Sequence, residues 1–164
     1  MQKAAVGVRD ISFELGGKNP AIVFADADLD KAVEATASGS FANAGQVCSS
    51  SERILVHADV YEVFAEKLAG AANKIVLADP RLDGTTMGPL NNPAVASKVA
   101  EHVADAIGKG ANAITGGQRL EGALSDLYFK PTVLTGVTRD SLLNLEETFG
   151  PVAPLIKVAD EDEA

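Results

Sequence analysis

Tryptophan is absent, and one cysteine, Cys48, and two histidines, His57 and His102, are all the chain has of those types. A lone cysteine closes no intramolecular disulfide, and one Cys with two His falls short of a zinc-ligand set, so neither a disulfide scaffold nor metal chemistry is expected. Positive charge is scarce as well. Fourteen Lys and Arg stand against 23 Asp and Glu, a net charge of −9 with an isoelectric point near 4.6. Phosphate binding needs concentrated Lys and Arg, so nucleic acid and anionic membrane are not expected partners. Long apolar runs are missing too: Ala21 to Ala25 and Ile54 to Val56 are far shorter than the ~20 residues that span a bilayer. Met1 to Glu14, with Lys3, Arg9 and Asp10, lacks the apolar core and small-residue cleavage pattern of a secretory signal, which points to a cytoplasmic protein. What is present is a globular composition, 46% hydrophobic and 23% charged over 164 residues, enough for one domain with a core.

Hydrophobic periodicity gives the order of elements. Ile11, Phe13 and Leu15 alternate with Ser12 and Glu14 at the period of a strand, which would place Glu14 at its carboxyl end. Gly16, Gly17, Asn19 and Pro20 mark a turn, and Ala21 to Phe24 reads as a short buried strand. A helix capped by Asp26 or Asp28 follows, with Leu29, Val33, Ala37, Phe41 and Ala44 on one face and Gly45 as its stop. Ile54 to Val56 is the next strand. Asp59 and Glu62 have capping-box spacing ahead of a helical stripe formed by Val60, Val63, Phe64, Leu68, Ala71, Ala72 and Ile75. A further helix starts at Asn92 or Pro93 and turns Val95, Val99, Val103 and Ile107 inward. Short strands are expected at 113–115, 132–134 and 155–158. Strands alternating with helices predict an α/β fold, a mainly parallel sheet with helices on both faces, in which ligands gather at the carboxyl ends of the strands. The terminus Asp160 to Glu163 reads as an acidic tail or the cut edge of a longer protein.

Candidate chemistry begins with Cys48 in Gly45-Gln46-Val47-Cys48-Ser49-Ser50-Ser51. Small residues between a helix and a strand suit a nucleophile, although most free cysteines are simply small buried hydrophobes. No cation adjacent in sequence lowers its thiol pKa, so activation must come from elsewhere. Glu14, followed by two glycines, fits a general base, with a surface ion pair to Lys18 as the alternative. Glu146 and Glu147 offer carboxylates to sugar hydroxyls, and Phe149 offers an aromatic face; solvated glutamates before a turn are the plainer reading. Gly108-Lys109-Gly110-Ala111-Asn112-Ala113 matches the letters of a dinucleotide fingerprint but has a helix before it and a strand after it, the reverse of what the fingerprint needs. His102 is placed inward on its helix, and His57 is placed at an exposed strand end.

Three segments taken together carry more than any one. Phe13-Glu14-Leu15-Gly16-Gly17-Lys18-Asn19-Pro20, Gly45-Gln46-Val47-Cys48 and Glu146-Glu147-Thr148-Phe149-Gly150-Pro151-Val152 resemble, in order, three motifs of the NAD(P)-dependent aldehyde dehydrogenase superfamily. Met87 to Leu90 and Tyr128 to Val133 add to the likeness, which runs from about Ala4 to Val158. The resemblance implies that Cys48 is the nucleophile and Glu14 the base that activates the deacylating water. It also implies that Glu147 holds the nicotinamide ribose, that Phe149 lies against the cofactor, and that Leu15 touches the carboxamide through its backbone. NAD or NADP would be the cofactor and a small aldehyde or semialdehyde the substrate, oxidised to a carboxylic acid through a Cys thiohemiacetal and thioester. By the same resemblance residues 1–164 are a single catalytic-domain fragment, with 1–10 the remnant of a preceding helix and 159–164 the acidic tail or cut edge. Most of the cofactor domain would then lie outside the chain. The isolated chain is expected to be inactive and prone to self-association, and its parent a homo-oligomer. A different class of reading is a non-catalytic α/β scaffold or interaction module that retains the motifs as relics.

Overall fold

The structure is a computed structural model that describes residues 2–164. Five strands, β1 (Asn19–Val23), β2 (Ser51–His57), β3 (Asn112–Thr115), β4 (Thr132–Thr135) and β5 (Val152–Val158), form one sheet in the order β1-β2-β5-β4-β3. The pairs β1/β2, β2/β5 and β5/β4 are parallel, and β3 closes one edge antiparallel to β4. Val152 to Leu155 of β5 and Thr132 to Leu134 of β4 are buried without interruption. Successive strand residues point to opposite faces, so the centre of the sheet is covered on both, as the α/β expectation requires.

The covering helices are α1 (Leu29–Phe41), α2 (Tyr61–Ala72), α3 (Pro93–Gly108) and the single turn α4 (Leu142–Leu145). Helices α1 and α2 pack on each other and on β2, while α4 reaches β2 and carries α3. The start of α1 is fixed where the sequence places it: Asp28 Oδ1 accepts the Lys31 N–H at 3.3 Å. Helix α3 begins with Asn92 Oδ1 accepting the Val95 N–H at 3.0 Å and Pro93 at the first helical position, where its missing N–H has no intrahelical partner to lose. Ile54, Val56, Phe64, Leu68, Val99, Val103, Leu143 and Leu155 meet in one core and are almost wholly excluded from solvent.

Several expectations change. Ile11 to Leu15 is not a strand: no neighbour offers these residues a ladder, and Ile11, Phe13 and Leu15 are 50%, 55% and 72% exposed. Glu14 therefore rides on a loop leading into β1. The Asp59/Glu62 capping box does not form, because α2 starts from Val60 with no side-chain cap, and Asp59 instead donates its N–H to His57 Nδ1 at 3.2 Å. Val63 and Ile107, assigned to inward stripes, are about half exposed. In the stretch read as the end of a preceding helix, Met1 lies outside the described residues and Ala4–Val6 form one 3-10 turn with no buried residue. At the other end the acidic residues fold back on themselves, with the Ala159 N–H donating to Glu163 Oε2 at 2.8 Å and Arg139 pairing with Glu163 at 2.9 Å. Among the described residues no helix is long and apolar enough to cross a membrane.

Candidate active site

The turn that presents Cys48 is built by three successive left-handed residues, Asn43 (φ 51°), Ala44 (φ 56°) and Gly45 (φ 71°), which reverse the chain after α1. Gly45 is the position where only glycine fits, since a Cβ there would occupy the space of the Gly150 carbonyl. Asn43 and Gln46 lock the reversal by mutual side-chain donation to each other's carbonyl oxygens at 3.1 and 2.9 Å, and Gln46 Oε1 accepts the Asn91 N–H at 2.7 Å. The far side is held by Asn19, whose Nδ2 donates to the carbonyls of Cys48 at 2.7 Å and Ser50 at 3.2 Å. Ser50 Oγ closes the turn on Gly45 O at 3.1 Å. The backbone of Cys48 is thus fixed while the residue itself is exposed.

Cys48 precedes β2, Glu14 precedes β1 and Glu147 precedes β5. These strands are adjacent and parallel, so loops far apart in sequence come together at the amino ends of the sheet. That overturns the expectation of a carboxyl-end site: the loops that matter here enter strands and do not leave them. Glu14, Leu15, Gly16, Gln46, Val47, Cys48, Glu147 and Phe149 line one open cleft of about 500 Å³. All five residues singled out from the sequence therefore share a cavity. Glu14 and Cys48 are exposed within it, while Glu147 and Phe149 are partly covered. Glu147 Oε1 accepts the Gly17 N–H at 3.2 Å. Its carboxylate lies so close to Gly16 that a Cβ there would have to displace it. Glu147 Oε2 has no partner among the described residues and Phe149 borders the same cleft, a carboxylate and an aromatic side chain that together are compatible with the ribose of a dinucleotide.

Beneath the cleft lies a buried polar network that sequence reasoning missed. Glu52, only 3% exposed, takes Lys18 Nζ at 2.8 Å and the Thr148 N–H at 3.0 Å on Oε2, and the Phe149 N–H at 2.7 Å on Oε1. Lys18 Nζ also donates to Thr148 Oγ1 at 3.3 Å, and that hydroxyl meets His102 Nδ1 at 3.2 Å. Burial pushes the Lys18 ammonium below its ordinary pKa against the pull of Glu52. The plainer reading of Glu14, an ion pair with Lys18, is set aside because Lys18 is taken by Glu52. One signal in the sequence could have found the network: Glu52 shares the strand face of Ile54 and Val56, so a charge sits on the buried side of β2. His102 is buried, as its inward position predicts, and burial lowers its pKa while Glu146 at 3.8 Å raises it. His57 is only partly exposed and faces Asp59 at 3.7 Å.

The class is a mainly parallel α/β sheet with an exposed cysteine and two carboxylates lining one cleft at the amino ends of its strands. The comparison with known proteins makes the assignment specific. The chain belongs to the aldehyde dehydrogenase family, whose profile matches residues 1–164. It is 45% identical over 163 residues to the glutarate-semialdehyde dehydrogenase of Pseudomonas putida, covering 99% of this chain and 33% of that protein. It is likewise 45% identical over 161 residues to the NADP(+) succinate-semialdehyde dehydrogenase of Escherichia coli, covering 98% and 33%. The crystal structure of succinate-semialdehyde dehydrogenase from Burkholderia pseudomallei superposes with a TM-score of 0.94 at 47% identity, covering 99% of this chain and 33% of that one. The chain therefore spans about a third of the length of the relatives it matches.

Proposed function

We propose that this chain carries the thiol and the two carboxylates of an NAD(P)-dependent dehydrogenase that oxidises an aldehyde or semialdehyde to a carboxylic acid. The observation that carries the reading is the shared cleft of Cys48, Glu14 and Glu147, in a chain whose relatives are named for semialdehyde oxidation. Cys48 Sγ adds to the aldehyde carbon, and its backbone N–H helps hold the resulting oxyanion. A nicotinamide held there would supply the hydride acceptor, and Cys48, once hydride has left the bound carbon, would carry the acyl group as a thioester. Glu14 then takes a proton from water, the hydroxyl attacks the acyl carbon, and the Cys48 thiolate departs with the acid formed. Glu14 also helps the first step by taking the thiol proton, since no cation adjacent in sequence lowers the thiol pKa, and as an exposed group it passes that proton to solvent before it activates the water. Glu147 would accept hydrogen bonds from the nicotinamide ribose, Phe149 would lie against the cofactor, and the Leu15 backbone would touch the carboxamide.

Residues 1–164 would be the catalytic-domain share of a longer enzyme, a reading supported by their coverage of a third of each relative. The 164-residue chain alone, mixed with NAD or NADP and succinic or glutaric semialdehyde, is expected to give no reduced nicotinamide above background; steady turnover would refute that. In the full-length protein, Cys48→Ala is expected to abolish turnover. Glu14→Gln is expected to slow thioester hydrolysis, leaving a burst of reduced nicotinamide followed by a slow phase. If Cys48→Ala retains turnover, the mechanism is wrong.

A further inference from the structure

We infer that Glu52 is a positioning residue that sets Glu147 and Phe149 relative to Cys48, an inference that rests on the proposed dehydrogenase reading for its kinetic consequence. Phe149 is a non-glycine residue at φ 56°, a conformation that persists only where its surroundings impose it. Glu52 is what imposes it. Its two carboxylate oxygens take the successive N–H groups of Thr148 and Phe149, a two-amide cradle around an anion. These are the two amides immediately after Glu147. The same carboxylate binds Lys18, the residue after Gly17, whose N–H holds the Glu147 carboxylate at the surface. The Gly17-Lys18 loop and the Glu147-Thr148-Phe149 loop are therefore clamped twice, once at the cleft and once below it.

The clamp is mounted on the strand that follows the nucleophile. Glu52 is the second residue of β2, four positions after Cys48. Thiol and cofactor-facing carboxylate are thus referred to one rigid element, although Glu147 lies almost a hundred residues downstream. A carboxylate suits this place for a reason no carboxamide satisfies. Both oxygens accept, whereas Gln offers one accepting oxygen and turns an NH₂ group on the other donor.

The test is Glu52→Gln, with Lys18→Met/Glu52→Gln as a second form that removes both buried charges together and so keeps the fold should the single change lose it. In the 164-residue chain, hydrogen exchange is expected to quicken at the Thr148 or Phe149 amide and also at the Gly17 amide as Glu147 is released. Alkylation of Cys48 by iodoacetamide reads one group only, because the chain has one cysteine, and its rate is expected to stay within about twofold, since Cys48 is held by Asn19 and not by Glu52. In the full-length protein the KM for NAD or NADP is expected to rise about tenfold with kcat nearly unchanged, the scale of one lost charge-assisted hydrogen bond. Unchanged exchange at Gly17 together with unchanged KM would overturn the inference and leave Glu52 a structural ion pair. A fall in kcat and thiol reactivity that tracks lost thermal stability would overturn it as well. If wild-type protein oxidises no aldehyde, the functional reading fails, and the Gly17 exchange result alone decides the positioning role.

Discussion

Gly45 carries two constraints at once, and no side-chain-bearing residue satisfies both. Its φ of 71° lies in the left-handed region, and the direction a Cβ would take is filled by the Gly150 backbone. The left-handed conformation alone costs an L-residue about 1–2 kcal/mol, and here the contact is with backbone, which cannot swing aside. Gly45→Ala is therefore expected to lower the melting temperature sharply and to slow alkylation of Cys48 by displacing its turn. Gly70 is the internal control. It lies in α2 on an exposed face with nothing near the position of a Cβ, so Gly70→Ala is expected to stabilise by about 0.5–1 kcal/mol, read as a rise in denaturant midpoint. Opposite signs from one substitution type follow from space and φ alone.

Among the elements, α3 shows how far local sequence can speak. Asn92 and Pro93 mark its start by chemistry confined to four residues, and the structure has the cap bond there. Asn92→Ala is expected to cost about 1 kcal/mol in chemical denaturation, with little change in the slope of the transition. The strands β2 and β4 and the second half of β5 are legible for a similar reason, being short apolar runs near turn signals, whereas 152–154 of β5, with Pro154, give no such signal. Ile11 to Leu15 has the alternation of a strand and forms none, because a strand also needs a neighbour and alternation does not say whether one exists. The site was legible only as motifs. That Glu14, Cys48 and Glu147 stand at the amino ends of neighbouring strands depends on the order β1-β2-β5, which periodicity does not encode. Glu52 escaped for a related reason: its partners Lys18 and Thr148 lie 34 and 96 residues away.

Across the whole molecule, the buried network ties stability to pH through His102. Burial lowers the imidazole pKa from its ordinary 6.5; Glu146 and Glu101 raise it in part, and the Lys18 and Lys98 charges lower it further. A histidine depressed in the folded state binds fewer protons there than in the unfolded chain, so stability rises with pH across that window. It is fully present above 6.5 and is lost progressively as pH falls from 6.5 through the folded value. Melting temperature is accordingly expected to drop between neutral and mildly acidic pH, and His102→Gln to flatten that slope. A slope of the same size in the variant would assign the acid sensitivity to other groups. The sheet order carries one more consequence. β5 is the last of the five strands in sequence, yet it sits between β2 and β4. A growing polypeptide leaving the ribosome thus holds Cys48 and Glu14 long before the strand that brings Glu147 beside them. The cleft they share can be completed only when that late strand slots into the middle of a half-formed sheet.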